Sequence, residues 1–328
     1  MRIPVLVLAG FLGSGKTTLL NHLLRNSLDV RIGVIVNDFG SVGVDAMLVG
    51  GQAGGVASLG NGCLCCEVGE QGVGPLLEQL ADPASGIEVI VIEASGIAEP
   101  GALVQLVLGC DVPGLTFGGL VEVVDVAEFE ETRRRHPSLD RHVGFADLLV
   151  LNKIDRVDPE VLARVRELCR AANADAPMVA TSHAVVDPGL LFDIHVEPGR
   201  QLMLGQAVDH DEHLHTHYDA VTFRTDRPLD PRCFAAFFDD RPAGAYRIKG
   251  FAYFGVTGHR QRFVVHAVGR YLRFDRTSWP RGEPRETALE IIGSDLDRAL
   301  LDKTLRDCER DEPADEDSIL PVIRYTFS

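Results

Sequence analysis

Residues 10–17 read GFLGSGKT and decide the fold of this chain. They match the pattern G-x-x-x-x-G-K-[ST], with Gly10, Gly15, Lys16 and Thr17 at its fixed positions. Glycines let consecutive backbone N–H groups turn toward phosphate oxygens, and the start of the following helix adds the positive end of its dipole. We therefore predict a phosphate-binding loop. In it, Lys16 reaches the β- and γ-phosphates of a nucleoside triphosphate and the Thr17 hydroxyl holds Mg²⁺.

The surroundings of this loop favour a nucleotide-binding fold over an ordinary glycine-rich turn. Apolar runs alternate with helical patterns through the first 195 or so residues. Continuous Val, Ile and Leu runs are typical of strands covered on both faces. Strands are predicted at residues 5–9, 32–37, 89–93, 120–125, 148–152 and 178–180, and helices at residues 17–25, 74–80, 102–108 and 159–172. The alternation predicts an α/β fold with a doubly wound, mostly parallel sheet, of the P-loop NTPase type.

The pattern changes after residue 193, in a chain whose length already suggests two domains. A polar, histidine-rich stretch is followed by strand-like VTF, FAYF and RFVVHAV segments and a helical stretch at residues 295–308. These features predict a smaller α+β domain. The expected regions are a P-loop nucleotide-hydrolase domain at 1–200, a His/Asp-rich linker at 201–219, a C-terminal domain at 220–310 and an acidic, mobile tail at 311–328.

The net charge limits the classes of partner, and the cysteine spacing indicates the cellular compartment. A formal net charge of −16 argues against duplex nucleic acid or an anionic membrane as a partner. The short basic cluster at residues 133–136 is interpreted as a solvated helix end. The sequence has no apolar stretch of about 18 or more residues, and a buried strand explains its start better than a signal peptide does. The seven cysteines are unevenly placed, which favours reduced thiols in the cytoplasm over a disulfide scaffold.

The sequence Asn152-Lys153-Ile154-Asp155 follows the predicted strand at residues 148–152 and indicates a guanine site. The Asp155 carboxylate can accept hydrogen bonds from N1–H and the exocyclic amine of guanine. Adenine lacks that donor pair and would leave the carboxylate unsatisfied. The stem of Lys153 can lie along the base, while Asn152 braces the loop. We therefore predict that the nucleotide is GTP rather than ATP.

Two further strand ends carry acidic residues. Glu93 ends the run VIVIE, where a carboxylate is expected to hold Mg²⁺ or its water, and the N–H of Gly96 can reach the γ-phosphate. A solvent-tipped strand end is the plain alternative for Glu93. Asp125 ends the run GLVEVVD. It either has a role similar to that of Glu93 or caps the helix that follows it.

Three cysteines stand within four residues in Gly62-Cys63-Leu64-Cys65-Cys66. Adjacent cysteines seldom bridge without strain. Three close thiolates suit a soft or borderline ion such as Zn²⁺ or Cu⁺, with a fourth ligand from elsewhere or from a partner. Buried small side chains or a redox pair are the alternatives. The sequence therefore predicts a transition-metal site at Cys63, Cys65 and Cys66.

A second candidate metal site lies in the polar segment after residue 207. Its imidazoles alternate with Asp and Glu, and neutral imidazoles at such spacing could hold an ion loosely. A solvated linker explains the segment equally well. The candidate ligands are His210, His213, His215 and His217.

Taken together, these pieces resemble the CobW-like family of P-loop GTPases, whose relatives include the urease and hydrogenase nickel-insertion GTPases. The matching segments run in family order: GFLGSGKTTLL, VNDFGSVGVD, NGCLCC, EASG and LNKID, followed by KGF and IIGSDLD in the C-terminal region. The resemblance covers nearly the whole chain. It implies a GTP-dependent metallochaperone or metal insertase that uses GTP and Mg²⁺ and carries zinc, cobalt or iron to a client metalloprotein.

The resemblance also assigns roles to individual residues. It implies phosphate and Mg²⁺ contacts from Gly13, Ser14, Gly15, Lys16, Thr17 and Thr18. It implies metal ligation by Cys63, Cys65 and Cys66, and guanine recognition by Asn152, Lys153 and Asp155. The first switch would be residues 37–40, with Asp38 joining Lys16, Thr17 and Glu93 in catalysis. Family members usually carry Asn-Glu-Phe-Gly-Glu there, whereas this chain has the shorter Asp38 and lacks a carboxylate at Ser41, which is expected to weaken or remove an auxiliary metal contact at the switch.

These residues suggest a mechanism. The γ-phosphate would order Asp38 and residues 93–96, and the cysteines lie between those segments in sequence, so the nucleotide would set how tightly the thiols hold the ion. The alternatives are a dedicated cobalt or iron insertase of the cobalamin-pathway or nitrile hydratase type, a non-catalytic metal buffer, and a GTPase whose cysteines sense redox state. The sequence leaves self-association into a homo-oligomer open.

Overall fold

The computed structural model describes residues 2–27, 30–36, 56–58 (backbone only), 73–96, 98–192, 219–282, 284–312 and 314–326. These residues form two compact units. The first contains the described residues up to 173 together with 178–192, and the second contains 219–326 together with 174–177.

The first unit is built on a seven-stranded sheet in the order β3-β2-β4-β1-β5-β6-β7, and every pairing in it is parallel. Its strands are β1 (Ile3–Ala9), β2 (Ile32–Val36), β3 (Val56–Ser58), β4 (Val89–Glu93), β5 (Leu115–Asp125), β6 (Leu148–Asn152) and β7 (Met178–Ala180). All residues of β2, β4 and β6 are buried, as continuous apolar strands require when both faces are covered. The prediction of an α/β fold with a parallel, doubly wound sheet is confirmed.

Helices connect these strands and cover the sheet. They are α1 (Lys16–Asn26), α2 (Gly74–Ala81), α3 (Pro100–Gly109), α4 (Phe129–Arg135), α5 (Leu139–Phe145), α6 (Pro159–Ala172) and α7 (Pro188–Leu191). α6 begins at Pro159, a residue that favours the first helical position, and buries Val165 and Cys169. The basic cluster lies at the end of α4, as predicted. The sequence did not predict β3, α5 or α7, and of α4 it predicted only the end; these elements have seven residues or fewer and are too short to show a clear period.

The second unit is a five-stranded antiparallel sheet packed against helices. Its sheet order is β11-β10-β9-β12-β8. The elements are β8 (Asp219–Thr225), α8 (Pro231–Asp239), β9 (Ala245–Ala252), β10 (Arg262–Val268), β11 (Tyr271–Thr277), β12 (Thr287–Gly293), α9 (Arg298–Arg306) and α10 (Leu320–Ile323). Phe234 of α8, Leu301 of α9 and Val322 of α10 join Phe263 and Ile291 of the sheet in one apolar core. The prediction of a smaller α+β domain is confirmed.

Two expectations about the second unit need correction. Residues assigned to a mobile acidic tail form a 3-10 turn at Glu316–Ile319 followed by α10, because Ile319 and Val322 are buried in the core. The cysteines outside the 63–66 cluster were expected to be reduced, but Cys233 and Cys308 form a disulfide, while Cys110 and Cys169 are free. Among the described residues no helix is both long and apolar enough to cross a bilayer.

Candidate nucleotide-binding site

The predicted nucleotide residues collect at one edge of the parallel sheet. β1 ends at Ala9 directly before the phosphate loop, β4 ends at Glu93, and β6 ends at Asn152. The carboxyl ends of parallel strands lie at the same edge, which is where open α/β sheets bind ligands. The sheet therefore brings together residues that are up to about 140 positions apart in sequence.

The phosphate loop needs glycine at both of its fixed glycine positions. Gly10 has φ 147° and Gly15 has φ 109°, conformations that residues with a Cβ rarely adopt. A Cβ on Gly10 would lie 2.5 Å from the carbonyl oxygen of Val123, and one on Gly15 would lie 2.4 Å from Nδ2 of Asn152. The backbone is therefore packed closely on the strand ends below it. This cradle, followed at once by the start of α1, fits a phosphate group.

Lys16 is the first residue of α1, and its side chain folds back over the loop. Its Nζ donates hydrogen bonds to the carbonyl oxygens of Gly10 at 2.8 Å and Phe11 at 3.3 Å. The residue is only 8% exposed. The ammonium is thus held within the loop, beside the positive end of α1, where both would favour the negative charge of a phosphate.

Thr17 and Glu93 are in direct contact although they are far apart in sequence. The Thr17 hydroxyl donates to Oε1 of Glu93 at 2.7 Å, and the carboxylate is buried at the end of β4. Nearby, a Cβ on Gly96 would lie 2.9 Å from the backbone nitrogen of Leu12, so residue 96 lies against the phosphate loop. A hydroxyl and a carboxylate side by side are hard oxygen donors, which fit Mg²⁺.

Asn152 joins three parts of the site. Its Nδ2 donates to the carbonyl oxygen of Ser14 at 2.8 Å, and its Oδ1 accepts from the backbone N–H of Ala184 at 2.8 Å. The side chain is 2% exposed. Both ends of the amide are therefore satisfied in the interior, and the loop after β6 is fixed relative to the phosphate loop.

Lys153 and Asp125 form an ion pair beside this bridge. Lys153 has φ 64°, and its Nζ donates to Oδ2 of Asp125 at 2.6 Å. The other oxygen of Asp125 accepts from the backbone N–H of Ala127 at 3.1 Å, which makes a local turn. Asp125 thus positions Lys153 and closes its own turn. Asp155 lies in the 3-10 turn Ile154–Arg156, where it is exposed and accepts no hydrogen bond from any described residue.

The loop after β7 is a part of the site that the sequence analysis missed. Ala184, which donates to Asn152, has φ 55°, as does His183. The Thr181 hydroxyl donates to the carbonyl oxygen of Val185 at 2.6 Å and closes the loop. The signal that could have found it is its position, since it directly follows a predicted parallel strand and must reach the same sheet edge.

Glu122 is a second feature that the sequence analysis missed. It lies within β5, opposite Ala9 of β1, and is 0% exposed. Within the described part of the chain, neither of its carboxyl oxygens has a hydrogen-bond partner. Burial raises the pKa of Glu122 to about 8, and the positive charge of Lys16 opposes that shift. A protonated carboxyl therefore lies under the phosphate loop near neutral pH.

Glu122 is expected to make folding stability fall as the pH rises. Below about pH 4.5 the folded and unfolded states both keep the proton. Between pH 4.5 and about 8 the unfolded state loses it and the folded state keeps it, which lowers the free energy of unfolding by about 1.4 kcal/mol per pH unit. Glu122→Gln should remove this loss of several kcal/mol. Urea unfolding followed by far-UV circular dichroism at pH 5, 6, 7 and 8 measures the difference.

The matched control for this prediction is Glu160→Gln, which changes an exposed carboxylate in the first turn of α6. The control should follow the wild-type pH dependence. If Glu122→Gln followed it too, the buried carboxyl would have an ordinary pKa.

Several predicted residues lie outside the described part of the chain. These are the switch residue Asp38, the cysteines Cys63, Cys65 and Cys66, and the histidines His210, His213, His215 and His217. In the described ranges, no group of three or more His, Cys, Asp or Glu side chains could hold a metal ion. The transition-metal site thus stays a prediction from the sequence.

A phosphate loop at the end of the first strand, backed by a threonine–carboxylate pair and a braced Asn-Lys-x-Asp loop, defines a P-loop nucleotide-binding protein. Its family follows from sequence comparison. Residues 4–180 match the CobW/HypB/UreG nucleotide-binding domain, and residues 218–309 match the cobalamin synthesis protein CobW C-terminal domain. The chain belongs to the CobW/HypB/UreG family and carries the CobW C-terminal domain, as the resemblance predicted.

Similar proteins include several with a stated metal role. The zinc chaperone CobW of Pseudomonas aeruginosa is 33% identical over 93% of this chain and 91% of its own length. The zinc chaperone YjiA of Escherichia coli is 36% identical over 58% of this chain and 61% of its own. The crystal structure of Zn(II)-bound YjiA GTPase from E. coli is 23% identical, covers 94% of this chain and all of that one, and has a TM-score of 0.46.

Proposed function

We propose that this protein is a GTP-hydrolysing metallochaperone. It would bind a transition metal, zinc in the first place, at Cys63, Cys65 and Cys66 and deliver it to a client metalloprotein in the cytoplasm. The observation that carries the proposal is the contact between Thr17 and Glu93, because it joins the phosphate loop to the end of β4, and only β2 separates that end from the end of β3, after which the cysteine segment begins.

The strand register explains that connection. Val36, the last residue of β2, pairs with Glu93 of β4, and Ser58, the last residue of β3, pairs with Val36. The segment between β2 and β3 and the one after β3 therefore start from the sheet edge that holds the nucleotide residues. Cys63 follows Ser58 by five residues, so the chain can span at most about 18 Å from that edge. With two strand spacings of about 5 Å each between Ser58 and Glu93, a phosphate sensed at Glu93 and an ion held by the thiols would lie within about 30 Å of each other.

The choice of GTP rests on the loop after β6. Asn152 fixes that loop to the phosphate loop, and Asp155 is exposed with its carboxylate available to accept the two guanine donors. The aliphatic stem of Lys153 would lie along the base. Curated relatives include a fission-yeast protein named zinc-regulated GTPase metalloprotein activator 1, 32% identical over 56% of this chain and 47% of its own length, which agrees with this choice.

Hydrolysis would use the groups around the phosphate loop. Lys16 would bind the β- and γ-phosphates, and Thr17 would hold Mg²⁺ with Glu93 behind it. Bound Mg²⁺ would neutralise charge on the phosphate oxygens. The N–H of Gly96 would contact the γ-phosphate, so that cleavage to GDP and phosphate removes a contact at residues 93–96 and relaxes the segment next to it.

The metal ion would be cargo, which the cysteines bind and then pass to the client. Three thiolates suit Zn²⁺ and leave one coordination position for a client ligand, which allows transfer without release into solution. Relatives named zinc chaperones support zinc as the first candidate. The thiols must lose their protons to bind the ion as thiolates, so metal affinity should also rise with pH.

Substituting one thiol of the cluster tests the proposal. Cys65→Ser should abolish stoichiometric binding of Zn²⁺ to the GTP-loaded protein, measured by competition with a chromogenic chelator. Cys110→Ser, which changes a free cysteine outside the cluster, should bind like the wild type. Unchanged binding by Cys65→Ser would remove these thiols from the account. A preference for Co²⁺ or Fe²⁺ in the same titration would indicate a dedicated insertase instead.

A further inference from the structure

The disulfide of the second unit has no place in the proposed metal and nucleotide chemistry. Cys233 lies in the first turn of α8, and Cys308 follows the end of α9. Their sulfurs are bonded, their Cα atoms are 5.3 Å apart, and 75 residues separate them in sequence. The bond therefore ties together the two ends of a segment that contains α8, strands β9 to β12 and α9.

Other contacts bring the two cysteines together independently of the bond. The backbone N–H of Asp230 donates to the carbonyl oxygen of Cys308 at 2.7 Å, and that of Arg310 donates to Pro228 at 2.9 Å. The side chain of Arg310 donates to Oδ2 of Asp230 at 2.5 Å. Oδ1 of Asp230 accepts from the backbone N–H of Cys233 at 3.0 Å. Because this network fixes both backbones, the two thiols would also be neighbours in the reduced protein.

The two sulfurs differ in access. Cys308 is 1% exposed, whereas Cys233 is only half-buried. A reagent from solution would therefore meet Cys233 first. A thiolate there also lies in the first turn of α8, where the helix dipole favours negative charge. Once the sulfur of Cys233 had reacted, the neighbouring sulfur of Cys308 could attack it and form the disulfide.

The other described cysteines cannot act in this way. Cys169 is buried on α6, and burial together with the charge of Glu122 raises the pKa of its thiol to about 12. Burial also raises the pKa of Cys110. Neither is paired with a second cysteine in the described ranges. Among the residues that the structure describes, Cys233 and Cys308 are the only two cysteines that form a pair.

We propose that Cys233 and Cys308 are a reversible thiol–disulfide modification site that reacts with a small disulfide of the glutathione type. The Cys233 thiolate attacks one sulfur of the reagent, forms a mixed disulfide and releases one small thiolate. The Cys308 thiolate then attacks Sγ of Cys233 and releases the second. Two protein thiols are oxidised, one reagent disulfide is reduced to two thiols, and the two protons lost by the protein go to the released thiolates.

Closing this bond should stabilise the second unit strongly. A cross-link over 75 residues restricts the unfolded chain, and the contacts around Asp230 keep the native geometry compatible with it. For a domain of about 100 residues, the melting temperature should rise by on the order of 10 °C. The protein contains a single tryptophan, Trp279, which lies in the second unit, so its fluorescence reports this transition selectively.

The test uses the full chain, first fully reduced and then incubated with oxidised glutathione. Free thiols are alkylated, and the tryptic peptides that contain Cys233 and Cys308 are weighed. We expect a linked peptide pair two hydrogens lighter than the separate peptides. We also expect a melting temperature by Trp279 fluorescence on the order of 10 °C above that of the reduced protein, reversed by dithiothreitol.

The variants separate this site from the other cysteines. Cys233→Ser should lose both the linked peptide and the temperature shift, whereas Cys110→Ser should keep both. Alkylation of Cys233 and Cys308 after oxidation, or a linked pair with no shift in the melting temperature, would overturn the proposal. The readouts involve neither metal nor nucleotide, so this result is independent of the proposed chaperone function.

Discussion

Lys16→Ala is expected to lower the affinity for GTP by about a hundredfold or more. The ammonium of Lys16 is held within the phosphate loop by the carbonyl oxygens of Gly10 and Phe11, where it would face the β- and γ-phosphates. Charge-assisted hydrogen bonds of this kind are each worth about 1.5–3 kcal/mol, and Lys16 itself is buried. Titration with a fluorescent GTP analogue measures the loss.

The control for this experiment is Lys303→Ala, which removes an exposed lysine from α9. It should bind GTP like the wild type. Circular dichroism of Lys16→Ala should show an intact fold, since the side chain contacts the loop rather than the apolar core. A Lys16→Ala variant that folds and binds GTP with unchanged affinity would contradict the assignment of the phosphate site.

Asp155→Asn is expected to remove the preference for guanine. The carboxylate would accept from two donors on the base, whereas the amide would present a donor of its own to one of them. Sites that pair with such donors discriminate by about 10⁴–10⁵, so GTP affinity should fall at least a hundredfold. Xanthosine triphosphate, which carries a carbonyl where guanine has its amine, should bind the variant better than GTP does. Competition titrations with GTP, ATP and xanthosine triphosphate measure the change.

Asp158→Asn provides a matched control three residues away. Asp158 is exposed, precedes α6 and makes no side-chain cap bond to it. This variant should keep the preference for GTP. If Asp155→Asn still preferred GTP to xanthosine triphosphate, the base would be recognised elsewhere.

The parallel sheet could be predicted because its strands are buried on both faces. Such strands appear in sequence as unbroken apolar runs, and the runs at Val89–Glu93 and Leu148–Asn152 match the observed strands residue for residue. The contact of Thr17 with Glu93 follows from the same logic, since parallel strands end at one edge. Fixed motif spacing and strand order were sufficient to predict that the phosphate loop and Glu93 lie at one edge of the sheet.

The remaining features depend on tertiary packing that leaves little local signal. Nothing in the sequence around Glu122 shows that its carboxyl is fully buried under the phosphate loop. The bond from Ala184 to Asn152 uses a backbone group, which is the same in every residue. The pairing of Cys233 with Cys308 depends on how α8 and α9 pack, over 75 residues of sequence. Residues 311–318 are mostly acidic and suggest a charged tail, whereas apolar residues directly after them, such as Ile319 and Val322, reach the core.

The proposed function depends on coupling between the nucleotide site and the predicted metal site. Glu93 contacts Thr17 on one side and pairs in register with Val36 on the other, where the chain leads toward the cysteines. A nucleotide that changes the first contact can change the geometry of the second. Linkage then requires that GTP and the metal ion strengthen each other by the same factor, within the range of about 5- to 150-fold that is typical of coupled sites.

The most direct test is to titrate Zn²⁺ into the full-length protein in three states: with a non-hydrolysable GTP analogue, with GDP, and without nucleotide. We expect the zinc affinity to be highest with the GTP analogue, by at least about fivefold, and GTP-analogue affinity to rise by the same factor when zinc is present. Equal zinc affinity in all three states would show that the nucleotide does not control the metal and would contradict the proposed function.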